Sequence, residues 1–112
     1  MAEIFKDKFP DGSILKLSGQ FTGNYETDEF ENLMNEILKS DNPNVIVDLT
    51  NVNFLSSIAI GKMLKFHSEF NDNSGKVVYC GFNNIIQGVL KSTRVWNIFN
   101  VADDLKAAMM TF

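Results

Sequence analysis

The 112-residue sequence predicts a single α/β domain, residues 1–112, with a mixed, mostly parallel sheet of about five strands and four helices. Three observations favour this fold. Two short alternating segments joined by a turn open the chain, which is typical of a β-hairpin. Short apolar runs then alternate with segments of helical spacing, which indicates right-handed crossovers between parallel strands. No repeat or long linker divides the chain, so the predicted order is ββαβαβαβα.

The first two strands are predicted at residues 3–9 and 13–17. Between them, Pro10-Asp11-Gly12-Ser13 is a turn sequence, because proline presets φ and glycine accepts a positive value. Leu15 and Leu17 share one face of the second strand, as a half-buried strand requires. Residues 19–25 are predicted as a loop from their composition.

The first helix is predicted to follow Thr27 as its N-cap, with Asp28 and Glu29 in an acidic first turn. Helical spacing relates its apolar residues, which are Phe30, Leu33, Met34, Ile37 and Leu38. The helix is expected to end before Pro43, because the residue before a proline resists the α region.

Residues 45–49, Val-Ile-Val-Asp-Leu, are predicted as a central strand because they are largely β-branched and apolar on both faces. Residues 50–55 are predicted as a connection to a second helix, for which Ser56 and Ser57 are both candidate N-caps. From Ile58 onward the spacing becomes helical. The predicted apolar stripe consists of Ile60, Met63, Leu64, His67 and Phe70.

The last third of the chain continues the alternation. A buried strand is predicted at residues 76–82, and a short helix from Asn83 to Leu90, weakened by Gly88. A further strand is predicted within residues 95–101. Asp103 and Asp104 then open a terminal helix.

The composition excludes several kinds of partner. A formal net charge of -4 and a pI near 4.8 argue against nucleic acid or an anionic membrane as the main partner. No apolar run approaches the ~18 residues that span a bilayer, so membrane insertion is not expected. The N-terminus lacks the apolar core of a signal peptide, and we expect a cytoplasmic protein.

The sequence offers little catalytic chemistry. One histidine and one cysteine, His67 and Cys80, lie far apart and form no zinc-binding spacing. No G-x-S-x-G elbow is present, and residues 19–23 lack the lysine of a phosphate-binding loop. His67 lies on an apolar stripe and is predicted to be partly buried and structural. We therefore expect no metal, no cofactor and no enzymatic activity.

Residues 45–61 resemble the central signature of STAS domains, the bacterial anti-sigma factor antagonists and their relatives. In that family an apolar strand ends in Asp-Leu/Phe-Ser/Thr, and Asp-Ser-Ser/Ala-Gly-Leu-Gly opens a helix. Asp48-Leu49-Thr50, Phe54 and Gly61 match this pattern. The resemblance continues through residues 75–79, 85–101 and 103–109, so it covers nearly the whole chain. It implies the α/β fold that the order of elements predicts independently.

The resemblance also implies a function. Ser57 stands where antagonists of this family are phosphorylated by a cognate anti-sigma factor, a serine kinase of the ATPase fold. A PP2C-type phosphatase reverses the modification. A helix N-terminus suits a phosphate, because unpaired backbone N–H groups and the positive end of the dipole lie there. The expected partner-binding residues are Thr22, Asn24, Ser56, Ser57, Ile58, Ala59, Ile60 and Lys62.

The sequence departs from the family pattern beside this serine. Ser56 replaces the usual aspartate, Ile58 and Ala59 replace small polar residues, and Thr22 stands where an acidic residue is common. Ser56 is therefore a second candidate for phosphorylation.

Three alternatives to the switch remain open. One or both serines serve only as an N-cap. The domain is instead a scaffold or homodimer joined through Ile58 and Ile60. Or it is an accessory subunit of lipid or small-molecule transport, with a pocket beside residues 19–25.

Overall fold

A computed structural model of the chain describes residues 2–23 and 25–112. The described residues form strands β1 Glu3–Phe9, β2 Gly12–Phe21, β3 Asn44–Leu55, β4 Lys76–Cys80 and β5 Asn100–Ala102. They form helices α1 Tyr25–Leu38, α2 Ser57–Asp72, α3 Asn84–Ser92 and α4 Leu105–Met109. A 3₁₀ turn at Val95–Asn97 precedes β5. The predicted fold class and the order ββαβαβαβα are confirmed.

The five strands form one sheet in the order β1-β2-β3-β4-β5. β1 and β2 are antiparallel, and every later pair is parallel. Because parallel strands point the same way, the carboxyl ends of β2, β3 and β4 meet at one edge of the sheet. The amino ends of α1, α2 and α3 follow these strands, so they lie at that same edge, which we call the carboxyl edge.

The sheet separates two apolar cores of unequal size. Val45, Val47 and Leu49 of β3 pack in the larger core, under α1, α2 and α3. Ile46 points to the opposite face and packs in the smaller core with Cys80 and with Ala108 of α4. The prediction that residues 45–49 are buried on both faces is therefore correct.

β2 and β3 extend further than the sequence predicts. Residues 19–21 and 50–55 were predicted as a loop and a connection, yet Gly19 pairs with Val52 and Phe21 with Leu55. Register shifts interrupt this part of the ladder. The prediction is wrong because glycine and asparagine disfavour strands locally, whereas here each segment gains its backbone hydrogen bonds from the other.

The predicted cap of the first helix is also wrong. α1 begins at Tyr25, and Thr27 lies inside its first turn, fully buried. Its hydroxyl accepts a hydrogen bond from the Gly23 N–H at 2.9 Å, so it anchors the loop before the helix. The buried Thr27 hydroxyl thus has a backbone N–H partner, as the side chain of an N-cap has, but that N–H belongs to the loop before the helix.

Smaller corrections affect the boundaries of later elements. β4 ends at Cys80 rather than at residue 82, and the predicted strand within residues 95–101 is a 3₁₀ turn followed by β5. On α2, Phe66 is buried although the predicted stripe omits it, whereas Ile60 and Leu64 are half-buried. The side of α2 that is buried depends on how the helix lies on the sheet. This orientation cannot be read from the spacing of apolar residues within the helix alone.

Ser56 connects β3 to α2. Its backbone is extended, with φ -76° and ψ 166°, and its hydroxyl accepts a hydrogen bond from the Ala59 N–H at 3.1 Å. Its own N–H donates to the Phe21 carbonyl at 2.8 Å. Ser56 is therefore the N-cap of α2, and it ties the start of the helix to the end of β2. Ser57 is the first helical residue and is exposed.

Tyr79 joins β4 to α2 through the larger core. The side chain is fully buried, and its hydroxyl donates to the Met63 carbonyl at 2.9 Å. Burial raises the pKa of the Tyr79 phenol far above its usual range, because a phenolate would lose its hydration. The phenol therefore stays neutral and keeps donating across the physiological pH range.

We expect Ser56→Ala to lower the free energy of unfolding by about 1 kcal/mol, because the Ala59 N–H loses its acceptor. Ser57→Ala is the matched control, since the Ser57 side chain is exposed and does not cap the helix. Denaturant unfolding monitored by circular dichroism measures both. Equal losses for the two variants would contradict the assignment of Ser56 as the cap.

We expect Tyr79→Phe to lower the free energy of unfolding by about 1 kcal/mol, the usual net contribution of one hydrogen bond. The ring packing is conserved in this variant, so the loss reports the hydroxyl alone. The same denaturant titration provides the measurement. A variant as stable as the wild type would show that this bond does not stabilise the contact between β4 and α2.

Candidate functional site

The predicted site residues come together at the carboxyl edge of the sheet. Thr22 and Gly23 follow β2, whereas Ser56 and Ser57 follow β3. These two strands are parallel neighbours, and the hydrogen bond from Ser56 to Phe21 holds their ends side by side. Asn24, also predicted to contact a partner, lies outside the described residues.

The loop after β2 packs against the first turn of α2. A Cβ atom placed on Gly23 would lie 3.0 Å from the Ile58 Cδ1 atom and 3.1 Å from its Cβ atom. Gly23 also has a φ of +101°, which residues with a Cβ atom rarely adopt. Glycine is therefore required at position 23, and Ile58 fills the space that its missing side chain leaves.

The first turn of α2 presents some of the predicted residues to solvent and buries others. Ser57 is exposed, and Ile58 keeps 56% of its surface accessible despite its contact with Gly23. Ile60 is half-buried, and Ala59 is buried in the larger core. Ala59 therefore exposes only 4% of its surface, and the prediction that it contacts a partner is corrected to a role in the core.

Lys62 does not stand free at the surface. Its Nζ atom lies 3.0 Å from the Glu31 Oε1 atom, and the Lys65 Nζ atom lies 3.1 Å from Oε2. These two hydrogen bonds lower the pKa of the Glu31 carboxyl. The ion pairs thus contribute stability at neutral pH that is lost as the pH falls through this lowered pKa. Lys62 holds α1 against α2.

The electrostatics of the helix start favour an anion at Ser57. No acidic residue lies in the first turn of α2, and the cap at Ser56 is neutral. The partial positive charge of the helix amino end is therefore not offset by a carboxylate there. The same arrangement makes the exposed Ser57 hydroxyl a position where added negative charge is tolerated by the fold.

The structure adds apolar residues to this edge that sequence reasoning missed. Phe54, Ile85 and Val89 are exposed by 47%, 80% and 49%, and with Ile60 they line a groove of about 180 Å³. One sequence signal could have found them. Residues 50–61 and 77–90 contain no charged side chain, which is unusual in a chain that is 21% charged.

The remaining reactive groups lie elsewhere. Cys80 is buried in the smaller core, and desolvation raises the pKa of its thiol to about 12, so the nucleophilic thiolate is not formed. His67 is half-buried beside the Phe99 ring, with centroids 6.3 Å apart. Among residues 2–23 and 25–112, no group of three or more His, Cys, Asp or Glu side chains could hold a metal ion.

A small space lies below the end of β2 and the start of α2. The space enclosed there by Phe21, Thr27, Leu55 and Ala59 is about 10 Å³, which is at most the size of one water molecule. None of the described helices is both long enough and apolar enough to cross a bilayer.

Solved structures share this fold over nearly their whole length. A Thermotoga maritima protein described as an anti-sigma factor antagonist matches with a TM-score of 0.87 and 17% identity, covering 96% of this chain and 92% of that one. An anti-sigma factor antagonist from Mycobacterium paratuberculosis matches with a TM-score of 0.84 and 15% identity, covering 99% and 93%.

A third similar structure is the Bacillus cell-fate determinant SpoIIAA in its phosphorylated form, with a TM-score of 0.75 and 11% identity, covering 98% of this chain and 100% of that one. At such identities these structures establish the fold and nothing further. No curated protein matches this sequence. The family model of the STAS domain, however, matches residues 5–108. This chain therefore belongs to the STAS domain family.

Proposed function

We propose that this protein is a cytoplasmic partner-switching regulator, which binds an anti-sigma factor of the ATPase-fold serine-kinase type through the surface around Ser57. Phosphorylation of Ser57 releases the partner, and a PP2C-type phosphatase restores binding. The proposal rests on one observation, which is that two adjacent serines have different structural roles. Ser56 caps the helix, whereas Ser57 is exposed at its first residue.

Ser57 is the better phosphate acceptor of the two. The Ser56 hydroxyl is half-buried and already accepts a hydrogen bond from the Ala59 N–H. A phosphate on Ser56 would replace the capping hydroxyl with a dianion at a half-buried position, which costs desolvation. A phosphate on Ser57 would extend into solvent at a helix amino end, where the fold tolerates it. The proposed switch therefore acts on binding and leaves the domain folded.

The surroundings of Ser57 explain how one phosphate would release a partner. The modification adds about -1.5 to -2 charges. Its neighbours Ile58 and Ile60 are apolar, and no basic side chain follows before Lys62, which is paired with Glu31. A partner packed on these residues would have to bury the dianion without a counter-charge from the first turn of α2, and that cost opposes binding.

The proposed contact surface consists of residues from one loop and one helix. It includes Thr22 from the loop after β2, and Ser57, Ile58 and Ile60 from α2. Asn24 is included from the sequence alone, and Lys62 would take part only by leaving Glu31. The protein itself performs no catalysis in this mechanism; the partner and the phosphatase carry out the chemistry.

A homodimeric scaffold is the second candidate, favoured by the exposure of Ile58. Both functions use the first turn of α2. An anti-sigma factor covers it in the switch, whereas a second copy of this chain covers it in the scaffold. We expect Ile58→Asp to leave the elution volume of the isolated protein unchanged in size-exclusion chromatography. A wild-type dimer that this variant converts to a monomer would support the scaffold instead.

We expect Ser57→Asp to weaken binding at least about tenfold, because a charge replaces a neutral group beside an apolar contact. Isothermal titration calorimetry with purified ATPase-fold anti-sigma proteins from the source genome measures this. Ser57→Ala is the control and should bind like the wild type. Thermal melting of both variants should match the wild type, because Ser56 still caps α2. Equal affinities for Ser57→Asp and Ser57→Ala would contradict the switch.

A further inference from the structure

A shallow apolar groove lies beside Ser57 at the carboxyl edge. It runs between the end of β3, the first turns of α2 and the outer side of α3. Phe54, Leu55, Ile60, Ile85 and Val89 line it, and its volume is about 180 Å³. Ile85 leaves 80% of its surface in solvent and Val89 leaves 49%. Contiguous exposed apolar surface of this kind marks interaction sites on folded proteins.

The charge distribution indicates what kind of surface would cover the groove. The groove is built from residues 50–61 and 77–90, which contain no Asp, Glu, Lys or Arg, although the chain carries 24 such residues. Its polar rim consists of amides, with exposed side chains at Asn53 and Asn84. An apolar centre without charges and a neutral polar rim are the anatomy of a protein–protein interface. A lipid surface would require basic residues at the rim, and this rim has none.

Two glycines provide a second, independent observation. Gly61 and Gly88 lie inside α2 and α3, where glycine destabilises a helix relative to alanine. A Cβ atom at either position would meet no atom within 4 Å beyond the backbone of its own helix turn, so packing within this domain does not require glycine there. Both belong to the outer sides of the two helices that flank the groove.

Helical spacing places these glycines on the ridges beside the groove. Ile60 and Gly61 follow Ser57 by three and four residues, so they share its side of α2. Gly88 and Val89 follow Ile85 by the same intervals on α3. Each ridge therefore combines an apolar side chain with a gap through which the backbone of another molecule can approach closely.

We propose that this groove receives the apolar face of a helix from the protein partner, as a second contact continuous with the Ser57 surface. The inference rests on the proposed function and specifies the partner's chemistry: an uncharged, aliphatic helix face that packs between α2 and α3. Ser57 lies one turn before Ile60, so a phosphate on Ser57 would stand on the rim of the groove. Phosphorylation of Ser57 would then weaken the contact around Ser57 and the contact in the groove together.

A partner helix fits the groove better than a second copy of this chain. A two-fold dimer pairs the same patch on both copies, so a second copy would bring one concave groove against another. The groove alone offers far less than the roughly 800 Å² that each side of a stable interface buries, so the partner must also cover Ser57 and Ile58. An amphipathic helix in a groove also places its apolar side chains at the spacing that two flanking helices can accept.

Isothermal titration calorimetry with the same ATPase-fold proteins tests the inference through three variants. Val89→Asp should weaken binding at least tenfold. Gly88→Ala should raise the melting temperature of the free domain yet weaken binding several-fold, a combination that misfolding cannot produce.

Ile98→Asp is the matched control, because Ile98 is 51% exposed but precedes β5 at the opposite edge of the sheet. Its affinity should equal that of the wild type.

The outcomes separate the two proposals. If Ser57→Asp weakens binding but Val89→Asp and Gly88→Ala do not, the groove is not a docking site, and the proposed function stands. If no ATPase-fold protein binds the wild type, the proposed function fails and the inference fails with it. Analytical ultracentrifugation of the domain alone provides the last test. A dimer that Val89→Asp dissociates would assign the groove to a second copy and overturn the inference.

Discussion

The parallel pairing of β2 with β3 places every other part of the site. It runs from Ser13 and Val45 to Phe21 and Leu55, and it ends where the Ser56 N–H donates to the Phe21 carbonyl. This last bond helps to fix the start of α2 beside the loop after β2. With it, Ile58 packs against Gly23, and Ser57 lies at the surface between two ordered elements.

Ser56, at the position where the family resemblance predicts an aspartate, has a clear structural role. The cap of α2 needs an acceptor for the Ala59 N–H, and a serine hydroxyl supplies it as a carboxylate would. The fold therefore loses little from the change, but the helix amino end keeps its positive potential without a neighbouring negative charge. The exposed side chains of Ile58, Phe54, Ile85 and Val89 make the surface around it apolar and uncharged.

Local sequence signals predicted the types of element well and their limits less well. The apolar β-branched run of residues 45–49 and the spacing from Phe30 to Leu38 identify a strand and a helix without help from the rest of the chain. Gly19 and residues 50–55 show the opposite case, because their strand conformation comes from pairing with each other. Likewise, threonine is a residue type that commonly caps helices. The Thr27 side chain is instead buried under the loop, and its hydroxyl accepts from the Gly23 N–H.

The sequence by itself determined the α/β architecture and the scarcity of catalytic groups, and it predicted a site at the junction of Ser56 and Ser57. These depend on residue type and short-range spacing. Only the tertiary structure decided which serine caps the helix, that Ala59 is buried and Lys62 paired, and that Phe54, Ile60 and Val89 line one groove. These depend on contacts between residues distant in the chain, which arise when β3, α2 and α3 pack on one sheet.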